Sequence, residues 1–387
     1  MRVHDLFRGS FINPGDATVN LINLSCNNAN KMNFRIQHHP YVLPLTSAWP
    51  GMRNGRLKER RGWIVTLEGE DSHGLGDCAP FSSAGTESLL QAQSFLQQLC
   101  SRSWSKEALL AELARQRCNY PAGCCAVETA LLDIHGRNKG VPLRILLNSA
   151  ARSRIQVNAM AGSICQQDIR TAQTQGFSVI KLKAGLQEPQ QEISCLLQLS
   201  STLAENTRLR LDANGSWNLD QARYFLDAVA ELPIESIEEP LREPSLEAFA
   251  RLQSHTPITL ALDESLAKMS IKKVLGTACI RRLILKPGVH GGLQYSYALA
   301  EQATAAGMEV VITSLVDSAV GIQVSSQLAA AVDVLAPGLA HGLATSSWLG
   351  KDVAKPPAIK AGCITLNNSP GLGIDEIFPA PFSSSLP

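Results

Sequence analysis

Several features that mark specialised protein classes are missing from these 387 residues. No apolar run approaches the length of a membrane span, and the formal net charge is only +1, so neither a membrane nor a nucleic acid is indicated as a partner. The ten cysteines include no C-x-x-C pair, which argues against a zinc ribbon or a dithiol redox site. Cysteines scattered through apolar runs are typical of free, buried thiols. We therefore expect a cytoplasmic protein without disulfides.

Residues 1–31 also lack a regular helical or strand period and the unbroken apolar core of a secretory signal. They are rich in asparagine and contain acidic residues, which fits a transit peptide poorly. We expect a disordered extension, or a segment before the true start at Met32, and we expect its deletion to leave activity unchanged.

The rest of the chain is longer than one compact core usually holds, so two unequal domains are predicted. The first spans residues 32–150. Strand-like segments at 33–46, 62–70 and 74–80 are followed there by helical periods at 86–100, 106–115 and 123–138, which predicts an α+β domain. Polar loops are predicted at 51–61 and 81–87.

Residues 151–360 alternate between strand-like and helical segments, which is typical of parallel strands joined by helices. Eight strands are predicted, at 155–160, 179–183, 208–212, 236–239, 258–263, 281–286, 309–314 and near 332–336. No G-x-G-x-x-G follows the first strand, so a closed TIM-type barrel is favoured over an open dinucleotide-binding sheet. Residues 361–387 begin with a strand-like stretch at 363–366 and are expected to return to the N-terminal domain.

Five polar clusters end successive apolar runs of the second domain, at steps of 23 to 29 residues. They are Lys181-Leu182-Lys183, Asp212-Ala213-Asn214, Glu238-Glu239-Pro240, Asp263-Glu264-Ser265 and Lys286-Pro287. Because the carboxyl ends of barrel strands converge on one face, we expect these side chains to meet there.

Acids without a neighbouring His or Cys are typical ligands of Mg²⁺, for which Mn²⁺ can substitute. Asp212, Asp263 and one of the pair Glu238 and Glu239 are the candidate ligands, and Asn214 and Glu264 are candidate auxiliary ligands. Taken singly, each acid has the alternative of being an ordinary loop or helix-capping residue.

The lysines suggest acid–base chemistry. Lys181 and Lys183 are two residues apart on a strand and therefore point to the same side, and Lys286 would face them across the barrel mouth. Like charges and a nearby cation should lower a lysine pKa towards the range of a general base. A substrate carboxylate on the metal would then lose its α-proton to one of these amines. The alternative is that the lysines only neutralise the acids.

This set of residues resembles the enolase superfamily, in the muconate-lactonizing-enzyme-like subgroup with Lys-x-Lys on the second barrel strand and a lysine on the sixth. The resemblance extends from about residue 32 to the end and includes residues 74–80 and the helix at 126–133. It implies a modified TIM barrel, (β/α)7β, with an N-terminal α+β capping domain completed by the C-terminal tail. It also implies that Glu238 is the third metal ligand and that Lys183 is the base, with Lys181 as its partner and Lys286 as the enolate stabiliser.

Within this subgroup the chain is most similar to the o-succinylbenzoate synthases, through residues 212–217 and 313–321 and the segment His341-Gly342-Leu343. The resemblance implies an Mg²⁺-dependent syn dehydration in menaquinone or phylloquinone biosynthesis, on a small-molecule carboxylate, by a monomer or a homo-oligomer. The capping loops 51–61 and 81–87 would close over the substrate. Implied substrate contacts are Ser314, Leu315, Gly291, Gly292 and Asn214.

Two departures from the family pattern are Asp317, where Glu is usual, and Ala344, where many relatives have Asp. The second departure weakens an amino-acid epimerase interpretation, because relatives with that activity use acids on the eighth strand to hold an ammonium group. The competing enzyme interpretation is a racemase or epimerase of N-succinylamino acids or dipeptides that uses two lysine bases. A non-catalytic barrel that binds an acidic metabolite is the alternative of another class.

Overall fold

The computed structural model of the protein describes residues 33–49, 57–70, 72–277 and 279–378. The predicted extension at 1–31 lies outside the described residues, as does most of the loop predicted at 51–61. The structure has two parts, an antiparallel sheet with helices and a parallel barrel. This arrangement confirms the predicted α/β class. No helix in the described part of the chain combines the length and the apolar character needed to cross a membrane.

The N-terminal part is an antiparallel sheet covered by helices. Its strands are β1 (Asn33–Trp49), β2 (Leu57–Glu68), β3 (His73–Cys78) and β4 (Trp104–Ser105), in the order β3-β2-β1-β4. Residues 57–61 belong to β2, where they pair with β1, so the loop prediction was wrong at that end. The basic and acidic side chains there are typical of a solvated loop, whereas the backbone continues the pairing with β1 and Arg60 is buried.

The helices of this part are α1 (Leu89–Cys100), α2 (Lys106–Gln116), α3 (Pro121–Lys139) and α4 (Leu143–Leu147). Helix α1 begins at a capping box formed by Ser88 and Gln91. Helix α3 is buried along most of its length and packs directly on the backbone of β3. A Cβ atom at Gly76 would lie 1.9 Å from the carbonyl oxygen of Ala126, so glycine is required at this contact.

A seven-stranded parallel sheet forms the second part, with its strands in sequence order. The strands are β6 (Ala159–Ser163), β7 (Val179–Lys183), β8 (Arg208–Asp212), β9 (Ile234–Glu238), β10 (Thr259–Leu262), β11 (Arg282–Leu285) and β12 (Glu309–Ile312). The helices are α5 (Gln166–Thr174), α6 (Pro189–Ser200), α7 (Leu219–Ala228), α8 (Leu246–His255), α9 (Ile271–Leu275), α10 (Pro287–His290), α11 (Leu293–Ala305) and α12 (Ala319–Val332). Their apolar faces and the strands share one large core.

The two edges of this sheet are joined by a two-residue segment. His341 bridges to Val157 just before β6, and Gly342 bridges to Thr313 just after β12. The eighth strand predicted near 332–336 was therefore wrong, because the apolar residues there end helix α12 and the turn that follows it. The closing segment has only isolated bridges and no apolar run, so periodicity does not mark it.

The C-terminal tail contacts both parts. Strands β13 (Ile359–Lys360) and β14 (Cys363–Thr365) form a small sheet with β5 (Arg154–Gln156), the strand that precedes the barrel. Beyond them, Leu372 and Ile374 join the apolar core of the N-terminal sheet and helix α3. The backbone N–H of Leu372 donates to Asp133 of α3 over 2.6 Å.

Candidate active site

The carboxyl ends of the barrel strands surround a cavity of about 440 Å³. Side chains from the barrel form most of its wall, and the N-terminal part contributes Phe81, Ser83 and Ala84. Of the residues predicted from the sequence, the cavity is lined by Lys181, Lys183, Asp212, Asn214, Glu239, Asp263, Glu264, Lys286, Ser314 and Leu315. The structure therefore brings the five polar clusters to one place.

Three acids stand on neighbouring strand ends because the strands pair in register. Asp212 ends β8 opposite Glu238 at the end of β9, and Asp263 immediately follows β10. Asp212 is 2% exposed and Glu238 5% exposed. Charged groups this deeply buried require partners or an ion.

The two adjacent glutamates have different environments. Glu239 accepts hydrogen bonds from the backbone N–H groups of Asp263 (2.7 Å) and Ser265 (2.8 Å) and from the Ser265 hydroxyl (2.6 Å). Its carboxylate thus orders the loop after β10, and burial, followed by the nearby Glu264 charge, raises its pKa to about 7. Glu238 is the acid whose carboxylate meets Lys181. The two carboxylates therefore have different contacts, which their spacing in the sequence does not predict.

Each of the three acids is in contact with a lysine. Lys181 Nζ lies 2.7 Å from Glu238 Oε2 and 3.0 Å from Asp212 Oδ2. Lys183 Nζ lies 2.8 Å from Asp212 Oδ2, and Lys286 forms an ion pair with Asp263. The order along the mouth is therefore Lys183, Asp212, Lys181, Glu238 and then Asp263 with Lys286.

These contacts change the expected protonation behaviour. Burial lowers the pKa of Lys181 and of Lys286, but the surrounding carboxylates outweigh it and raise both pKa values above the ordinary lysine value. In both cases acids rather than other lysines are the nearest charges, and the lowering expected from a bound cation stays a prediction. Conversely, Lys181 and Lys183 hold the pKa of Asp212 below its usual value against the effect of burial.

Asn214 connects Lys183 to a further acid. Its Oδ1 accepts from Lys183 Nζ at 2.7 Å, and its Nδ2 donates to Glu264 Oε1 at 3.0 Å. Asn214 has a positive φ of 42°, a conformation that asparagine tolerates better than most residues. The side chain therefore orients the Lys183 amine.

The donor chemistry of the mouth fits a hard divalent cation. All its acidic groups are oxygen donors, and Glu238 Oε1 and Glu264 Oε2 are buried without a hydrogen-bond partner, which is uncommon in folded proteins unless an ion or water is the partner. Within the part of the chain that the structure describes, no three His, Cys, Asp or Glu side chains lie close enough together to hold an ion. The Lys181 ammonium group contacts both Asp212 and Glu238 and therefore lies between these two carboxylates.

The predicted substrate contacts divide into two groups. Ser314 and Leu315 line the cavity, and the Ser314 hydroxyl lies 2.8 Å from that of Thr345. Gly291 and Gly292 lie outside the cavity wall. Gly291 packs on Arg117 and Gly292 on Glu128, so this glycine pair lets α11 approach the helices of the N-terminal part.

Sequence reasoning missed several lining residues. They are Met160, Leu241, Arg242, Pro244, Lys268 and Thr345. Thr345 follows the segment His341-Gly342-Leu343, and Arg242 follows Glu-Glu-Pro, so proximity to a known cluster was the available signal.

Asp317 lies outside this cavity and approaches Arg60 of the N-terminal sheet. Ala344 borders a neighbouring groove with Met160 and Trp348.

Comparisons with known proteins agree with this architecture. Residues 165–376 match the model of the family described as "Enolase C-terminal domain-like", and residues 34–131 match that of "MenC, N-terminal domain". An o-succinylbenzoate synthase from Edwardsiella ictaluri is 31% identical over 79% of this chain and 88% of its own length. A muconate cycloisomerase from Acinetobacter lwoffii is 30% identical over 65% of this chain and 67% of its own.

A solved structure shares the fold at lower identity. It is a dipeptide epimerase from Methylococcus capsulatus complexed with Mg and a dipeptide, with a TM-score of 0.78 and 24% identity, covering 89% of this chain and 99% of the other.

Proposed function

The chain belongs to the enolase superfamily, within its muconate-lactonizing-enzyme-like subgroup, and on this premise we propose that it is an Mg²⁺-dependent o-succinylbenzoate synthase. The reaction is the syn dehydration of 2-succinyl-6-hydroxy-2,4-cyclohexadiene-1-carboxylate to 2-succinylbenzoate, in menaquinone or phylloquinone biosynthesis. The observation that carries the proposal is the row of buried carboxylates with Lys183 at one end and Lys286 at the other. The match of residues 34–131 to the MenC N-terminal model supports the choice of substrate.

Asp212, Glu238 and Asp263 would hold the metal ion. When bound, Mg²⁺ supplies positive charge at the substrate carboxylate and so makes the adjacent C–H bond more acidic. Glu239 keeps the loop after β10 in place through its contacts with Asp263 and Ser265.

The lysines would carry the proton and the charge. Lys183 Nζ, oriented by Asn214, takes the proton α to the ring carboxylate, and the electron pair of that C–H bond moves towards the carboxylate. The Lys286 ammonium stabilises the added negative charge from the far end of the row. The C–O bond to the ring hydroxyl then breaks, Lys183 returns its proton to the leaving oxygen, and water departs from the same face, leaving an aromatic ring.

An absorbance assay tests the proposal. Purified protein with Mg²⁺ should convert the cyclohexadiene substrate, seen as loss of diene absorbance, and chelation of the metal should abolish turnover. Absence of turnover on this substrate, together with racemisation of N-succinylamino acids, would overturn it.

The second candidate is a two-base racemase or epimerase, which the likeness to a dipeptide epimerase supports. Both amines are present, but Ala344 offers no acid for the ammonium group of a dipeptide substrate. Lys286→Arg separates the two functions. It keeps a positive charge, so a dehydratase should retain part of its kcat, whereas a racemase that needs Lys286 as a base should lose activity in both directions of proton transfer. Loss of more than about 10³-fold in dehydration would favour a base role for Lys286.

A further inference from the structure

We propose that Arg60 is a positioning residue for the substrate cavity. Its guanidinium connects the capping loop that begins at Phe81 to the segment after β12 that carries Ser314 and Leu315. In this way Arg60 sets the distance between two walls of the cavity. The proposal rests on the proposed function for the identity of the substrate, but the tie itself is independent of it.

Arg60 is unusual among the charged residues of strand β2. Its neighbours Glu59 and Arg61 pair with each other at 2.6 Å with about a third of each side chain exposed, whereas Arg60 is 2% exposed. Burying a guanidinium is unfavourable unless its donors are satisfied. The position therefore indicates a specific set of acceptors.

Those acceptors come from both parts of the molecule. Arg60 Nη2 donates to the carbonyl oxygen of Ala79 at 2.8 Å and Nη1 to that of Pro80 at 3.2 Å. Its Nε donates to the carbonyl oxygen of Val316 at 3.2 Å. The Asp317 carboxylate lies 3.6 Å from Nη2. A planar guanidinium can hold several acceptors in fixed directions at once, which an ammonium group cannot.

Both tied segments lead straight into the cavity. Pro80 precedes Phe81, whose ring centroid is 5.0 Å from the Arg60 guanidinium carbon and which lines the cavity with Ser83 and Ala84. The Val316 carbonyl follows Ser314 and Leu315, which also line the cavity. A shift at either carbonyl would move lining side chains directly.

The capping loop is already anchored at its far end. The N–H of Phe81 donates to Thr86 Oγ1 at 2.5 Å, and the Glu87 carboxylate accepts from the N–H groups of Ala122 (3.0 Å) and Gly123 (2.8 Å) at the start of α3. These contacts fix the loop to its own domain. The Arg60 contact with Val316 joins the start of this loop to the barrel segment.

The barrel side of the tie is held in a strained conformation. Val316 has a φ of 59°, which is costly for a β-branched residue and indicates that the surroundings impose it. Asp317 supports the same turn, since its Oδ2 accepts from the N–H of Leu315 at 3.1 Å. The departure from Glu at 317 fits this role, because the shorter carboxylate serves the turn and Arg60 rather than the cavity.

The test compares Arg60→Met and Arg60→Lys with Arg61→Met, a control that removes an arginine from the next residue of the same strand. Arg60→Met should raise the KM for the cyclohexadiene substrate and the Kd of 2-succinylbenzoate, in the presence of Mg²⁺, about tenfold or more, because small displacements of positioning groups have effects of this size. The kcat should fall less than KM rises. Arg60→Lys should lie between, and Arg61→Met should match the unsubstituted protein.

A purely structural role would lower the Tm and the yield of Arg60→Met but leave the KM and Kd of the folded fraction unchanged, and that result would overturn the proposal. Hydrogen exchange adds a readout that needs no substrate. In Arg60→Met, exchange should increase in residues 81–87 and 314–318, and Arg61→Met should leave both unchanged. If the unsubstituted protein does not dehydrate the substrate, the proposed function fails; if exchange is also unchanged in Arg60→Met, the tie fails as well.

Discussion

Two regions of the molecule bury charged side chains, and they do so differently. At the barrel mouth, lysines and carboxylates contact one another beside an open cavity, and Glu238 Oε1 is buried without a hydrogen-bond partner. A second region is the junction between the N-terminal sheet and the segment that joins β12 to α12. There, Asp77 accepts hydrogen bonds from Tyr41 and from Ser318, each at 2.7 Å, and Arg60 donates to several backbone carbonyl groups. At the mouth a carboxylate oxygen is available to bind a ligand, whereas at the junction the polar groups form hydrogen bonds within the protein.

This difference separates reactive from architectural charge. A buried group that has satisfied its hydrogen bonds within the fold is expected to support position. A buried carboxylate with an unfilled oxygen beside a cavity is expected to bind something from outside. Substitutions at the mouth should therefore change chemistry more than stability, and substitutions at the junction should do the reverse unless they move a cavity wall.

The largest effect is expected from Lys183→Ala. Removing the amine takes away the base, so turnover should fall by about 10³-fold or more, as for other general bases with a leaving-group role. Titration calorimetry should still detect Mg²⁺ binding, because the three carboxylates remain. Lys355→Ala, which removes an exposed lysine outside the cavity wall, serves as the control. Substantial residual dehydration in Lys183→Ala would mean that another group is the base.

The next comparison is within the glutamate pair. Glu238→Gln removes a charge from the proposed ligand set and should weaken Mg²⁺ binding by about 100-fold, whereas Glu239→Gln keeps an oxygen for Asp263 and Ser265 and should weaken it less than about tenfold. Calorimetric Mg²⁺ titrations of both variants measure the difference. Equal losses, or a larger loss in Glu239→Gln, would reverse the assignment of ligand and support.

The sequence already located most of the mouth. Strands 179–183 and 208–212 were predicted with the bounds that the structure has, because a buried parallel strand is an apolar run with a polar residue at its end. Their register then follows from parallel pairing, which places Lys183 beside Asp212.

What sequence patterns missed depends on contacts between distant segments. Arg60 lies in a run of charged residues, and nothing in that run distinguishes it from the exposed Arg61 or predicts that it meets Val316, 256 residues later. The family resemblance implies that Gly291 and Gly292 contact the substrate, yet their neighbours are Arg117 and Glu128. The closing segment His341-Gly342 contributes single bridges, which no local period can reveal.

The smallest expected effect is a pH dependence of stability that arises from Asp77 at the junction. Burial, followed by the nearby Asp317 charge, raises the pKa of Asp77 to about 7. Because the folded-state pKa lies above the ordinary value, the folded protein binds this proton more strongly, and stability should decline as the pH rises from about 4 to about 7. Asp77→Asn keeps an acceptor for Tyr41 or Ser318 and removes the charge. Relative to the unsubstituted protein, its free energy of unfolding should be higher by about 3 kcal/mol more at pH 8 than at pH 5, seen as a Tm difference that widens with pH. Parallel Tm profiles would show that Asp77 stays ionised across this range, and the junction would then tolerate charge as the mouth does.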